Sequence, residues 1–279
     1  MDYTSVIRKI LYIIKKDNIP IYYDKFIKKM KNIKLKTNFL DDSEFVVYMT
    51  GILYLYHPHT CIQKIKTDKS NKVFRTSKNT EFDIRNNIGH IKLYSFSMFE
   101  NADKYINSIT KFLDKCTAIG VKGYVIDFRN HGGGDMHPLF EAFSRFFEGV
   151  TLFGMNTKKV TKKENKWVNI VNGMIVWNKP FITKNINTSV PIAIIVGPHT
   201  CSTGEFVASA FIASKHVRLF GSKTSGYLSL NTSKQLDKFM LNYTNNLVTT
   251  KNGKFLQYID PDINTTKPIQ EAIKFINTY

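Results

Sequence analysis

The sequence predicts an α/β protein in which strands alternate with helices from about residue 88 onward, behind a small helical N-terminal segment. Three observations carry this reading. Val190-Pro-Ile-Ala-Ile-Ile-Val196 is a continuous apolar run rich in β-branched residues, as a strand buried on both faces requires. Gly123-Tyr-Val-Ile-Asp-Phe-Arg129 is a second such run, and it ends in Asn130-His-Gly-Gly-Gly134. Helical spacing fills Ala102–Gly120 and Glu205–Ser214, so parallel strands joined by right-handed crossovers follow.

In chain order, Val6, Ile10, Ile13 and Ile14, then Phe26, Met30 and Ile33, recur at the period of short amphipathic helices with lysines outside. Residues 1–65 therefore read as a helical cap. Residues 66–87 are polar and rich in Lys and Asn, and read as a connecting hairpin or loop. The core occupies 88–279. Ile88–Phe96 alternates as a strand, Pro138–Phe147 suits a helix, and Val150–Thr188, with Trp167 and Trp177, reads as strands and loops on the substrate side. Arg218–Gly221 and Phe239–Thr249 complete the strands.

The chain has 279 residues, 43% of them hydrophobic and 13% aromatic, which supports a packed core and excludes disorder. Forty Lys+Arg against 22 Asp+Glu give a formal charge of +18. The lysines are spread along the chain and only six residues are Arg, so the fork donors that read phosphates and bases are scarce and nucleic acid is not the expected partner. Cys61, Cys116 and Cys201 show no Cys-x-x-Cys spacing or His cluster, which argues against a disulfide framework, a metal or another cofactor. The N-terminus lacks a signal-peptide pattern and the longest uncharged apolar stretch, Val46–Tyr56, is too short for a membrane span; a cytoplasmic location is the expectation.

The chemistry centres on His199-Thr-Cys-Ser-Thr-Gly-Glu205, between the apolar strand and the following helix. A serine at a helix N-terminus either caps it or, with unpaired N–H groups and the dipole beside it, acts as a nucleophile. Gly132–Gly134 offers a glycine run whose bare N–H groups suit an oxyanion hole, and no phosphate-loop ending follows it. A base for Ser202 must come from His57, His59, His90, His131, His137, His199 or His216; His131 and His137 flank the glycines as pocket candidates. Cys201 reads as a packed small residue, with a thiol nucleophile as the minor alternative.

These segments resemble the C-terminal-processing or tail-specific serine peptidases, which share a core with tricorn protease and interphotoreceptor retinoid-binding protein. The resemblance rests on Gly123–Pro138, on His199–Glu205, on Phe220-Gly-Ser-Lys-Thr-Ser-Gly226 and on Ile259-Asp-Pro-Asp262, in that order. It implies a crotonase-like α/β core with an N-terminal helical subdomain and serine peptidase activity on a peptide or protein substrate. Ser202 matches the nucleophile, and the N–H groups of Thr203 and of Gly133 or Gly134 match the oxyanion hole. Tyr227 stands where the tail-specific branch has its lysine base, Lys223 lies at the wrong spacing, and no room exists for a PDZ domain before the core strand. Both departures are similar to the tricorn-like branch, which implies His59 as base and Asp260 as its acid, with Asp262 or Glu205 in reserve. A non-catalytic relative that binds a peptide or apolar ligand in the same cleft is the alternative expectation.

Overall fold

Asp2 and Asp41 open two of the three N-terminal helices by accepting backbone N–H groups that the first turn cannot satisfy. In the computed structural model, which describes residues 2–17, 19–65, 79–96, 101–156, 166–172, 174–178, 186–212, 214–249 and 255–279, these helices are α1 (Tyr3–Lys16), α2 (Pro20–Met30) and α3 (Asp42–Tyr54). Asp2 accepts from Thr4 N at 3.0 Å and Asp41 from Glu44 N at 2.8 Å. Pro20 starts α2, where its missing N–H costs nothing. The apolar faces meet in one core with Ile10, Ile14, Phe26, Phe45, Met49 and Leu53.

The described residues fall into two compact units, one within Met1–Val73, Asn156–Asn165 and Ser229–Leu247, the other within Phe74–Met155, Lys166–Leu228 and Val248–Tyr279. The first unit is therefore not the contiguous 1–65 cap expected from the sequence. A strand hairpin within Ser229–Leu247 joins it, because three helices and the short strand β1 (Cys61–Lys64) leave an apolar face that Leu236, Phe239, Leu241 and Tyr243 cover. β1 pairs antiparallel with the second strand of that hairpin, Cys61 opposite Asn242.

In the second unit β2 (Glu81–Arg85) and β3 (Ile88–Phe96) form a hairpin around Asn86-Asn87, whose φ of +53° and +60° are what a tight two-residue turn demands. That hairpin begins within the expected 66–87 connection; residues 66–78 lie outside the described ones. Helix α4 (Ala102–Ile119), capped by the Asn101 side chain, leads to β4 (Gly123–Gly134). Two short helices, α5 (His137–Ala142) and α6 (Ser144–Phe147), replace the single helix expected at 138–147. An antiparallel meander follows, β5 (Thr151–Asn156), β6 (Lys166–Val171) and β7 (Met174–Asn178).

Strand β8 (Ile192–Val196) is buried at every residue, then come α7 (Thr203–Ala210), β9 (Val217–Gly221), the hairpin strands β10 (Ser229–Leu236) and β11 (Phe239–Thr249), and α8 (Pro268–Thr278). The main sheet runs β9-β8-β4-β3-β2, with Ile263–Asn264 beyond β9, and only β2 is antiparallel. Ala272 and Ile276 of α8 cover one face through Ile88, Val125, Ala193, Ile195 and Phe220. Alternate residues such as Ile126 and Ile194 then face the other side. Neither β10 nor α8 stood out in the sequence. Among the described residues no helix is long and apolar enough to cross a membrane.

Burial sets the energetics of the first unit. Ile10 is fully buried whereas Leu40 is 95% exposed. Ile10→Ala is expected to lower unfolding free energy by about 3 kcal/mol and Leu40→Ala by less than about 0.5 kcal/mol, measured by urea denaturation.

Candidate active site

The turn between β8 and α7 places Ser202 at the head of a helix with φ +50° and ψ −114°. A side chain rarely adopts that backbone, at a cost of about 1–3 kcal/mol, so surrounding bonds must impose it. They are visible. Cys201 N donates to His131 O at 3.0 Å, Gly204 N to Cys201 O at 3.0 Å, and Phe206 N to Ser202 O at 2.9 Å.

Beneath the turn, Glu205 is fully buried and accepts four hydrogen bonds. Ser202 N reaches Oε2 at 3.0 Å and Tyr227 N the same oxygen at 2.8 Å; Thr224 Oγ1 and Gly226 N reach Oε1 at 2.5 and 2.9 Å. Burial raises its pKa, and the four donors, which need an acceptor on each oxygen, pull the other way. Its part is to bind the serine turn to the Thr224–Tyr227 loop. Thr224 is itself fixed, because Ile259 N donates to its hydroxyl at 2.8 Å and its own N donates to Ile259 O at 3.1 Å.

The glycines form the opposite wall. β4 does not stop at Arg129 as expected but continues through Gly134, which pairs with Phe96. Gly133 and Gly134 have φ of +117° and +126°. A Cβ on Gly134 would lie 1.8 Å from Phe96 O, and one on Gly133 would lie 3.1 Å from Ser202 Cβ, so both positions demand glycine and Gly133 borders the serine. Thr203 Oγ1 donates to Gly134 O at 2.6 Å and ties the head of α7 to that strand end. At the base of the strand end Asp127 accepts from Arg129 N, Nε and Nη2.

A model of peptidase family S41 matches residues 87–265, which contain the serine turn, the glycine strand and the Thr224 loop. The chain belongs to peptidase family S41. It is 29% identical over 183 residues to the nisin-resistance protein of Lactococcus lactis subsp. lactis, covering 63% of this chain and 56% of that protein. It is 27% identical over 153 residues to the carboxy-terminal processing protease CtpA of Bacillus subtilis (strain 168), covering 54% of this chain and 28% of that one. The chain thus matches only about half or less of the length of these curated relatives. Among solved structures, a lipoprotein from Streptococcus agalactiae superposes with a TM-score of 0.72 at 22% identity, covering 100% of this chain and 97% of that one. A peptidase-like structure from Parabacteroides merdae gives 0.58 at 18% identity over 92% and 88%. At those identities the likeness shows the fold, a mixed α/β S41 fold related to the ClpP and crotonase type.

The other predicted positions of this S41 family chain divide clearly. His131 is fully buried with neither ring nitrogen bonded among the described residues, and burial holds its pKa down at about 4. His137 is exposed and sits 2.9 Å from Asp135. Lys223 is turned away, 3.2 Å over the Tyr258 ring, with Asp260 4.0 Å from its Nζ. The Asp260 side chain is 67% exposed, and Asp262 accepts from Leu219 N at 2.8 Å and so pins the chain to β9. Tyr227 contributes its backbone N–H to Glu205. The Cys201 thiol is pushed up to about 11 by burial and by Glu205, which removes the activated thiolate.

His59 belongs to the first unit. Its Nδ1 lies 3.1 Å from both the carbonyl and the hydroxyl of Ser229. A carbonyl only accepts, so Nδ1 carries the proton and Nε2 the lone pair. Asn231 Nδ2 donates to His59 O and Asn231 Oδ1 accepts from Thr244 Oγ1 at 2.8 Å, while Nδ1 of neighbouring His57 lies 3.1 Å from Thr244 Oγ1. Burial lowers the His59 pKa, and the bond to Ser229 opposes this. Ser229, Asn231 and Thr244 carried no signal in the sequence, since a strand serine or asparagine is ordinarily a surface residue; Thr224 sat inside a recognised motif, but its bond to Glu205 was invisible.

Two outcomes follow. In Glu205→Gln the amide NH2 must face at least one buried N–H, so stability is expected to fall by about 1–3 kcal/mol in urea melts. Ser202→Gly is expected to be more stable than Ser202→Ala by about 1 kcal/mol in thermal denaturation, the reverse of the usual order, because only glycine relaxes at this φ.

Proposed function

We propose that this chain hydrolyses peptide bonds through an acyl-enzyme on Ser202, with His59 as general base. The observation that carries the reading is the backbone-strained serine at the head of α7, bordered by Gly133 in a chain of the S41 family. His59 Nε2 takes the hydroxyl proton as Ser202 attacks the carbonyl, then returns it to the leaving amine. The amides of Thr203 and of Gly133 or Gly134 hold the developing oxyanion, helped by the dipole of α7. Water repeats the cycle and frees the enzyme.

The Ser229 carbonyl, in place of Asp260, orients the imidazole in this scheme. A neutral acceptor fixes the tautomer but stabilises the imidazolium less than a carboxylate would, so a modest turnover is expected. Of the two histidines that flank the glycines, His131 is sealed and His137 is engaged by Asp135. The name of the Lactococcus relative makes nisin the first natural peptide to assay.

Ser202→Ala is expected to abolish fluorophosphonate labelling and to lower kcat/KM by at least about 1,000-fold, and His59→Ala by a similar factor. Asp260→Asn is expected to leave kcat/KM within about two-fold. Labelling that survives Ser202→Ala, or that vanishes only in Cys201→Ser, would sink the mechanism; peptide binding without labelling of the native chain would support a non-catalytic cleft.

The pH profile has a definite sign. The base works when neutral, and its pKa is depressed, so kcat/KM is expected to hold through neutrality and fall only below about pH 6.5. Stability follows the same direction. His57 and His131, both held at about 4 by burial, bind protons more readily unfolded, so the stability they contribute is present above about pH 6.5 and is lost as pH falls toward 4. Thermal melts across that window check it.

A further inference from the structure

Residues 25–36 read Lys-Phe-Ile-Lys-Lys-Met-Lys-Asn-Ile-Lys-Leu-Lys, and no acid stands between Asp24 and Asp41. Lys25, Lys28 and Lys29 share one face of α2 by their spacing; Lys31, Lys34 and Lys36 follow in the segment leading to α3. All six are exposed. Lys36 is paired with Glu44, but the other five have no carboxylate partner among the described residues. Such a concentration of cations repels itself and is relieved by an anionic surface.

The same stretch also presents apolar side chains outward. Phe26 is buried in the core of the first unit and Met30, Ile33 and Leu35 pack against it, so the segment is anchored from within. Ile27 is nevertheless 38% exposed and Leu40 is 95% exposed. Leu40 is held there: its N–H donates to Glu44 Oε2 at 2.7 Å, and Glu44 N donates to Asp41 at 2.8 Å. Exposed leucine beside solvated lysine stems fits the boundary between headgroups and acyl chains. A nucleic-acid backbone has no use for it, and the run contains no Arg to read phosphates or base edges.

We propose that this lysine-rich surface of the N-terminal unit docks on an anionic phospholipid membrane, with the lysines at the headgroups and Leu40 and Ile27 in the interfacial layer. Each lysine near such a surface strengthens binding about five-fold. The proposal does not depend on peptidase activity.

Cosedimentation of the full chain with vesicles of phosphatidylcholine, alone or with about 30% phosphatidylserine, tests it. Binding is expected only with phosphatidylserine, weakening at least about ten-fold between about 0.1 and 0.5 M salt. Joint Lys28→Glu, Lys29→Glu, Lys31→Glu and Lys34→Glu substitution is expected to cost at least about 100-fold; should that variant misfold, Lys28→Gln with Lys29→Gln is expected to cost about ten-fold or more. Leu40→Ser is expected to weaken binding several-fold while leaving its salt dependence unchanged. Equal binding to phosphatidylcholine, no binding to either vesicle, or indifference to the lysine substitutions overturns the proposal. So does tighter binding to a short DNA duplex at the same salt with no effect of Leu40→Ser, which would assign the surface to nucleic acid.

Discussion

The second unit depends on one buried carboxylate. Glu205 accepts four donors from two segments of chain, the serine turn and the Thr224–Tyr227 loop. A buried anion without those donors would be costly; with them it sets the backbone of Ser202. The positive φ of the serine, at the head of α7, is then a consequence of a network. Strain at the serine and stability at the glutamate are two ends of one arrangement.

The same logic explains the glycine wall. Gly134 closes on Phe96 and Gly133 on Ser202, so neither position has room for a side chain. Thr203 links the two walls through Gly134 O, which makes the distance between the proposed oxyanion donors a property of the strand and the helix and not of a mobile loop. In the first unit the imidazole of His59 is set by comparable means, a strand carbonyl and hydroxyl at Nδ1.

Much of this was legible in the sequence, and unevenly so. The parallel strands could be read because burial on both faces leaves uninterrupted β-branched runs, as in Ile192–Val196. Ser202, the glycines and the Thr224 motif could be read because each has a backbone requirement that restricts residue type. The hairpin Ser229–Thr249 could not be assigned to the helical unit, because its alternation fits any half-buried sheet and the partner core lies almost two hundred residues away in sequence, as the pairing of Cys61 with Asn242 shows. The contact of His59 with Ser229 was not legible for a related reason: a carbonyl carries no side-chain signature, so Asp260 in a familiar motif stood out while Ser229 did not. Glu205 stood in the sequence only as a reserve acid, and only the fold shows that Gly226 and Tyr227 reach it.

A crystal structure of the chain after reaction with a fluorophosphonate tests the central claim most directly. The account predicts phosphorus bonded to Ser202 Oγ, one phosphonyl oxygen about 2.7–3.1 Å from the amides of Thr203 and of Gly133 or Gly134, and Glu205 still accepting its four donors. Phosphorus on Cys201, or a phosphonyl oxygen turned away from the glycine wall, would contradict it.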